Sequence, residues 1–423
     1  MLFLNPKAAR RPYEDSLRQI LNIGQGRESR RWLSGWPLLL PGPTPQRALP
    51  GIAGQLGIGQ LWLKDESLRS PLGSFKALGA PIALVRLILR HWHGHGWQAP
   101  ELLAGRHAAA LKDFTVISAT DGNHGRALAA AARSVGCRCV IVLHAQVSAE
   151  REDPIAALGA EIVRIAGNYD ESVHEAARLA AVNGWQVVSD TSYEGYEEVP
   201  RDVMQGYAII ADEALEALEP AVEPALAATP ATATPDDACP FTHVILQGGV
   251  GGFAAGVVSH FLERFGAARP SFIVVEPEQA DCLLQSARAG HAARATGSVD
   301  SVMAGLACGE TSPLAWRFLH DSVDVFMTVS DEAAVQAMRA LAEGSAGDMP
   351  VVSGESGAAG LAALQALARD PALARQAGLD AGSRVLIVNT EGATAPGVYL
   401  ALTGRTAQAV QAAQAAWQRD AAP

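Results

Sequence analysis

Lys76 has Gly73 and Ser74 just before it and an apolar stretch from about Ala77 to Arg90 after it. That spacing predicts a turn and then a helix with the lysine at its mouth. Bare N–H groups and the helix dipole are positive there, so the charged amine is disfavoured and a lowered pKa is expected. An amine of that kind attacks carbonyls and can form a Schiff base with a cofactor aldehyde such as that of pyridoxal phosphate.

Three further stretches carry groups that could work with it. Gln247-Gly-Gly-Val-Gly-Gly252 follows an apolar run and opens a helical one, which places consecutive backbone N–H groups at a helix N-terminus, a setting for phosphate. Gly249, Gly251 and Ala254 also fit a dinucleotide fingerprint, and Glu276 ends the next apolar run near where a ribose-binding acid would stand. On this stretch alone a nicotinamide dinucleotide and pyridoxal phosphate both remain open. Ser118-Ala-Thr-Asp-Gly-Asn-His-Gly125 joins an apolar run to an Ala-rich helix, and its donors suit a substrate carboxylate, with Asn123 able to bond a phenolic oxygen. Thr, Asp and Asn are also preferred helix caps, which accounts for one of these residues but not for the run. Ser189-Asp-Thr-Ser-Tyr-Glu-Gly-Tyr196 again follows an apolar run. Asp190 and Asp121 are therefore expected beyond strand ends, facing one crevice, where repulsion would keep a proton on one of them near neutral pH or set it in a low-polarity pocket, as a general acid or base needs.

The elements that must position these groups are legible as alternation. Apolar runs at 61–64, 115–119, 139–143, 161–165, 185–189, 243–247, 272–276 and 384–389 are mostly separated by helical patterns such as 126–134 and 171–182, the signature of mostly parallel α/β sheets covered on both faces. Two sheets are expected. The region up to Trp36 reads as polar and helical, and Pro41-Gly-Pro-Thr-Pro45 as an extended entry to the core. Residues 219–240, rich in Ala, Thr and Pro, read as a mobile insertion, and 403–423 as a helical tail. The domains expected are a large one, 1–90 with 220–423, and a smaller one, 91–219.

With 423 residues, 49% hydrophobic and 18% charged, the chain is long and apolar enough for two cores. A net charge of −11 argues against a nucleic-acid partner and favours a small molecule. The first apolar run is too short for a signal peptide and no stretch reads as membrane-spanning, which predicts a cytoplasmic protein. The five cysteines read as buried thiols, and His91, His93 and His95 lack the flanking ligands of a metal site, so no metal is expected.

Taken together, Phe-Lys-Ala-Leu-Gly (75–79), Ala-Thr-Asp-Gly-Asn-His-Gly (119–125), Asp-Thr-Ser-Tyr-Glu-Gly-Tyr (190–196), the glycine run 248–252, Ala-Gly-Leu-Ala-Cys-Gly-Glu (304–310), Ser-Gly-Glu-Ser-Gly-Ala (353–358) and Asn-Thr-Glu-Gly (389–392) resemble the diaminopropionate ammonia-lyases. These are tryptophan synthase β-like, fold type II pyridoxal-phosphate enzymes, and the resemblance spans about Pro43 to Pro396. It implies two domains, each with a mostly parallel twisted sheet flanked by helices. It implies Lys76 as the cofactor's covalent anchor with Phe75 beside it, Asn123 on the phenolic oxygen, and Gly248, Gly249, Val250, Gly251 and Gly252 on the phosphate. Thr390 would face the pyridine nitrogen. Asp121 and Asp190 would be acid–base groups, and the amino-acid substrate would meet Ser74, Thr120, Asp121, Gly122, His124, Asp190, Tyr193 and Glu355. The implied reaction releases pyruvate and ammonia from 2,3-diaminopropionate, on both D and L isomers, in a homodimer. Two stretches depart from those lyases. Gly73-Ser-Phe-Lys76 is closer to threonine dehydratases and threonine synthases, and Ala393-Thr-Ala-Pro396 replaces an aspartate-bearing segment. A serine/threonine dehydratase-like or threonine synthase-like enzyme is therefore the alternative, ahead of a nicotinamide-dependent oxidoreductase or a non-catalytic amino-acid-binding protein.

Overall fold

The protein is described from a computed structural model, covering residues 1–120, 122–218 and 238–420. Asp121, most of the 219–240 insertion and the last three residues of the tail lie outside the described residues. Among the described residues eleven strands are seen: β1 (Leu2–Leu4), β2 (Gln46–Ala48), β3 (Gln60–Asp65), β4 (Thr115–Ala119), β5 (Arg138–Leu143), β6 (Glu161–Arg164), β7 (Gln186–Val187), β8 (His243–Gln247), β9 (Ser271–Pro277), β10 (Val325–Val329) and β11 (Arg384–Asn389). They form a seven-stranded sheet, β1-β10-β9-β8-β11-β3-β2, and a four-stranded one, β6-β5-β4-β7.

The larger sheet has five parallel strands with an antiparallel strand at each edge. The smaller is wholly parallel. The inner strands β4, β8 and β10 are buried at every residue, as strands covered on both faces should be. The apolar run forming β10 (Val-Phe-Met-Thr-Val) is a strand that the reading of the sequence passes over. Leu2–Leu4 corrects the expected all-helical N-terminal region, pairing with β10 at residues 325–327. Its three residues are too few to display a period, and the pairing partner lies more than three hundred residues away.

One apolar core runs between the sheets. Helices Lys76–His91, Asn123–Val135, Glu198–Glu216 and Gly252–Phe265 contribute Leu78, Ile82, Leu128, Val203, Ile210, Val258 and Phe261 to it, each almost wholly buried. Small residues allow these helices to approach closely. A Cβ at Gly206 would lie 2.2 Å from the Leu78 carbonyl oxygen, and one at Gly256 2.5 Å from that of Met204, far inside contact distance. This packing ties helix Glu198–Glu216 to both Lys76 and the glycine run, and sets the smaller sheet's strand ends opposite those of the larger. Among the described residues no helix is long and apolar enough to cross a membrane.

Candidate active site

Parallel strands send the loops that follow them to one edge, and here the carboxyl ends of β3, β11 and β8 face those of β4 and β7 across a cleft. The β3/β11 register, with Asp65 opposite Asn389, brings the next residues together. Phe75 N–H donates to the Thr390 carbonyl at 3.0 Å, and Gly392 N–H to that of Gly73 at 2.9 Å. Lys76 and Thr390 are thus fixed side by side in the cleft wall. Gly73 turns the chain with φ of +78°, which leaves Lys76 as the first residue of its helix.

Lys76 Nζ pairs with Asp190 Oδ2 at 2.5 Å and lies 5.0 Å and 5.6 Å from the ring centres of Phe75 and Tyr207. Burial pulls the amine's pKa down, but the Asp190 carboxylate overrides it, and the net direction is up. This corrects the lowered pKa expected from the helix start: a carboxylate 2.5 Å away outweighs a partial dipole charge. Of the two carboxylates expected to face one crevice, Asp190 alone is among the described residues. Burial raises its carboxyl, yet the Lys76 charge brings it down to about 2, so it is ionised and does not hold a proton near neutrality.

His124 completes this corner. Its ring lies 2.8 Å through Nε2 from the Val188 carbonyl, which can only accept, so Nε2 carries the hydrogen. Burial lowers its pKa and leaves it neutral, with Nδ1 bare and 3.9 Å from Asp190 Oδ2. Thr120 Oγ1 accepts from the N–H groups of Gly122 and Gly125, both at 3.0 Å, so this hydroxyl shapes the loop and starts the helix. Asn123 instead points across the cleft, where its Nδ2 donates to Glu391 Oε2.

The glycine run follows β8 as expected. Gly249 and Gly251 have φ of +59° and +99°, values that favour glycine. Gly251 N–H bonds back to Gly248, whereas those of Gly249, Val250 and Gly252 have no acceptor among the described residues. Unsatisfied donors at the start of helix Gly252–Phe265 form a cradle for an anionic group. A phosphate-bearing aldehyde fits what lines this cleft: an amine at Lys76, an amide at Asn123, a hydroxyl residue at Thr390 and the cradle. Glu276, by contrast, is fully buried and accepts from the N–H groups of Leu283 and Leu284 at 2.8 Å each. It caps a helix from behind Gly248 and does not line the cleft.

Among the sequence-derived candidates, Phe75, Lys76, Thr120, Gly122, Asn123, His124, Asp190, Gly248, Gly249, Val250, Gly252 and Thr390 line the cleft. Gly251 lies behind it as the helix cap. Ser74 is buried in a bridge to Glu391. Tyr193 stacks on Tyr196 at 4.7 Å and lines an adjoining cavity that shares Tyr169 and Val250 with the cleft. Glu355 is buried behind Ser356, paired with Arg151. Asp121 is outside the described residues. Sequence reasoning did not single out Tyr207, Arg151, Gln247 or Glu391 as site residues. Glu391 had a signal, since it sits in the quoted Asn-Thr-Glu-Gly run, but Tyr207 lies inside an apolar helix with no local mark.

Comparison with known proteins agrees with this geometry. Residues 38–391 match the family described as pyridoxal-phosphate dependent enzymes. The diaminopropionate ammonia-lyase of Escherichia coli is 37% identical over 357 residues, 83% of this chain and 85% of its relative. That of Salmonella typhimurium is 37% identical over 379 residues, 86% and 89% of the two chains. Among solved structures, the holo Escherichia coli diaminopropionate ammonia lyase superposes with a TM-score of 0.82 at 32% identity, covering 95% of this chain and 96% of the other. The same enzyme in complex with D-serine gives 0.81 at 33% identity, with the same coverage.

Proposed function

The chain belongs to the family of pyridoxal-phosphate dependent enzymes, and from that premise we propose that it is a diaminopropionate ammonia-lyase, converting 2,3-diaminopropionate and water to pyruvate and ammonia. The observation that carries the reading is the meeting in one cleft of the Lys76–Asp190 pair and the glycine cradle. When bound, pyridoxal phosphate supplies a conjugated ring that delocalises the electron pair left at the substrate's Cα.

This chain's own residues then have separate tasks. Lys76 anchors the cofactor, Asn123 holds its phenolic oxygen, the 248–252 run its phosphate, and Thr390 faces its pyridine nitrogen. Asp190, ionised, is suited to accept the proton on Cα, and Asp121 is assigned the same task for the opposite isomer. An amine leaves Cβ well only when protonated, and the acidic residues at this cleft also favour a substrate that carries a second ammonium. Thr120, Gly122 and His124 are assigned to the substrate, with the Thr120–Gly125 loop taking its carboxylate. Ser74, Tyr193 and Glu355 support that shell from behind. D and L isomers are both accepted, and the enzyme is a cytoplasmic homodimer, a reading carried over from family resemblance that light scattering and fractionation would test.

Gly73-Ser-Phe-Lys76 favours a second reading, a serine/threonine dehydratase-like enzyme. Product stoichiometry separates the two. The holoenzyme should release two ammonia molecules per pyruvate from 2,3-diaminopropionate, whereas dehydration of serine yields one. Efficient turnover of serine with none of diaminopropionate would reverse the choice.

A further inference from the structure

Helix Ala149–Ala156 belongs to the smaller-sheet side of the cleft and reaches the other side at two points, through Glu150, whose Oε2 accepts from Gly397 N–H at 2.9 Å, and through Arg151. The stem of Arg151 lies against Gly122, where a Cβ would sit 3.6 Å from Arg151 Cβ and 3.7 Å from its Cγ and Cδ. Its guanidinium reaches over the cleft, with Nη2 3.2 Å from Glu355 Oε1. Both partners are shielded from water, with side-chain exposures of 13% and 1%. Glu355 Oε2 has no hydrogen-bond partner among the described residues, and Glu391 is close enough to raise the Glu355 carboxyl, which burial and that neighbour push up to about 7 against the Arg151 charge. Arg151 therefore stands opposite two carboxylates of the larger-sheet side. Asn123, one residue beyond Gly122, makes the parallel contact to Glu391.

We propose that Arg151 is a positioning residue for the substrate-carboxylate loop: stem on Gly122 and head on Glu355, it holds the turn Gly122–Gly125 against the opposite wall of the cleft. The proposal rests on the reading of that loop as the carboxylate holder. Its consequence is that the Arg151–Glu355 pair governs substrate affinity and leaves the bond-breaking groups, Lys76 and Asp190, in place. A charge-assisted contact of this kind corresponds to about a tenfold change in affinity.

The test uses the holoenzyme and the variants Arg151→Gln, Arg151→Lys, Glu355→Gln and the Arg151→Gln/Glu355→Gln double. KM and kcat are measured with 2,3-diaminopropionate. Affinity is measured calorimetrically with 3-aminopropionate, which has the carboxylate and the second ammonium but no α-amine and so cannot undergo the elimination. Amide exchange is followed at Gly122–Gly125. Arg151→Gln should raise KM and the 3-aminopropionate Kd by about tenfold, with kcat changed by less than about threefold, and should speed exchange in the loop. Arg151→Lys should recover part of the affinity. Glu355→Gln should weaken binding in the same direction, and the double variant should be no worse than the weaker single, as two members of one contact require. Additive losses, or a loss confined to kcat, would overturn the proposal. Tighter 3-aminopropionate binding in Glu355→Gln would overturn it too, because Arg151 would then be acting on the carboxylate itself. Wild-type enzyme that releases no pyruvate from diaminopropionate counts against the proposed function instead, and the tie is still decided by exchange at Gly122–Gly125.

Discussion

Lys76 Nζ and Asp190 Oδ2 lie 2.5 Å apart although 114 residues separate them in the chain. The anchoring amine and the carboxylate assigned to proton transfer are therefore one electrostatic unit, each holding the other charged.

Lys76→Ala should abolish the covalent cofactor link and nearly all turnover, with mass spectrometry after borohydride reduction reading the first and pyruvate release the second. It should also cost stability in the cofactor-free protein, on the order of 3 kcal/mol near neutral pH, since Asp190 is left as a largely buried, unpaired charge. The sign follows from the pair. Asp190 has a folded-state pKa of about 2, below its ordinary value of 3.8, so its contribution is present above about 3.8 and is lost as pH falls toward 2. The gap between wild type and variant, measured by denaturant unfolding, should narrow over that acid range. A constant gap would mean that the pair does not contribute as stated.

Asp121 and Asp190 should divide the two isomers. The α-hydrogens of D and L substrates project to opposite faces when carboxylate and amine are held alike, so one base cannot serve both from one pose. Asp190→Asn should lose L-isomer turnover by about a hundred- to ten-thousand-fold and D-isomer turnover much less, and Asp121→Asn the reverse. Steady-state kinetics on separated isomers decides the matter, and equal losses on both would assign the carboxylates to a single shared task.

Gly249→Asp should weaken cofactor affinity. The position has φ of +59°, which an L side chain adopts only with strain, and a carboxylate would stand beside the donors assigned to phosphate. Equilibrium dialysis against pyridoxal phosphate is the measurement, and unchanged affinity would move the phosphate site elsewhere.

Glu391→Gln should loosen Asn123. Glu391 accepts from Asn123 Nδ2 through one oxygen and from Ser356 N–H, at 3.0 Å, through the other, whereas a glutamine amide can accept through only one. A shift in the holoenzyme's visible absorption and about a tenfold loss of cofactor affinity are expected. An unchanged spectrum would detach Asn123 from the phenolic oxygen.

What the sequence determined by itself was local: the alternation of β-branched runs with helices, the glycines after β8, and a lysine at a helix start. Each is written within about twenty residues, the range over which backbone propensity and side-chain period act. The tertiary structure decided what distant charge and packing control. Lys76 keeps its proton because of the Asp190 charge, against the local expectation of its helix end, since a full charge at contact distance exceeds a dipole's partial one. Tyr207 and Arg151 entered the cleft because helix packing and strand order carried them there, and β1 acquired its strand only from β10. No window along the chain contains those partners, so only the folded arrangement could set them.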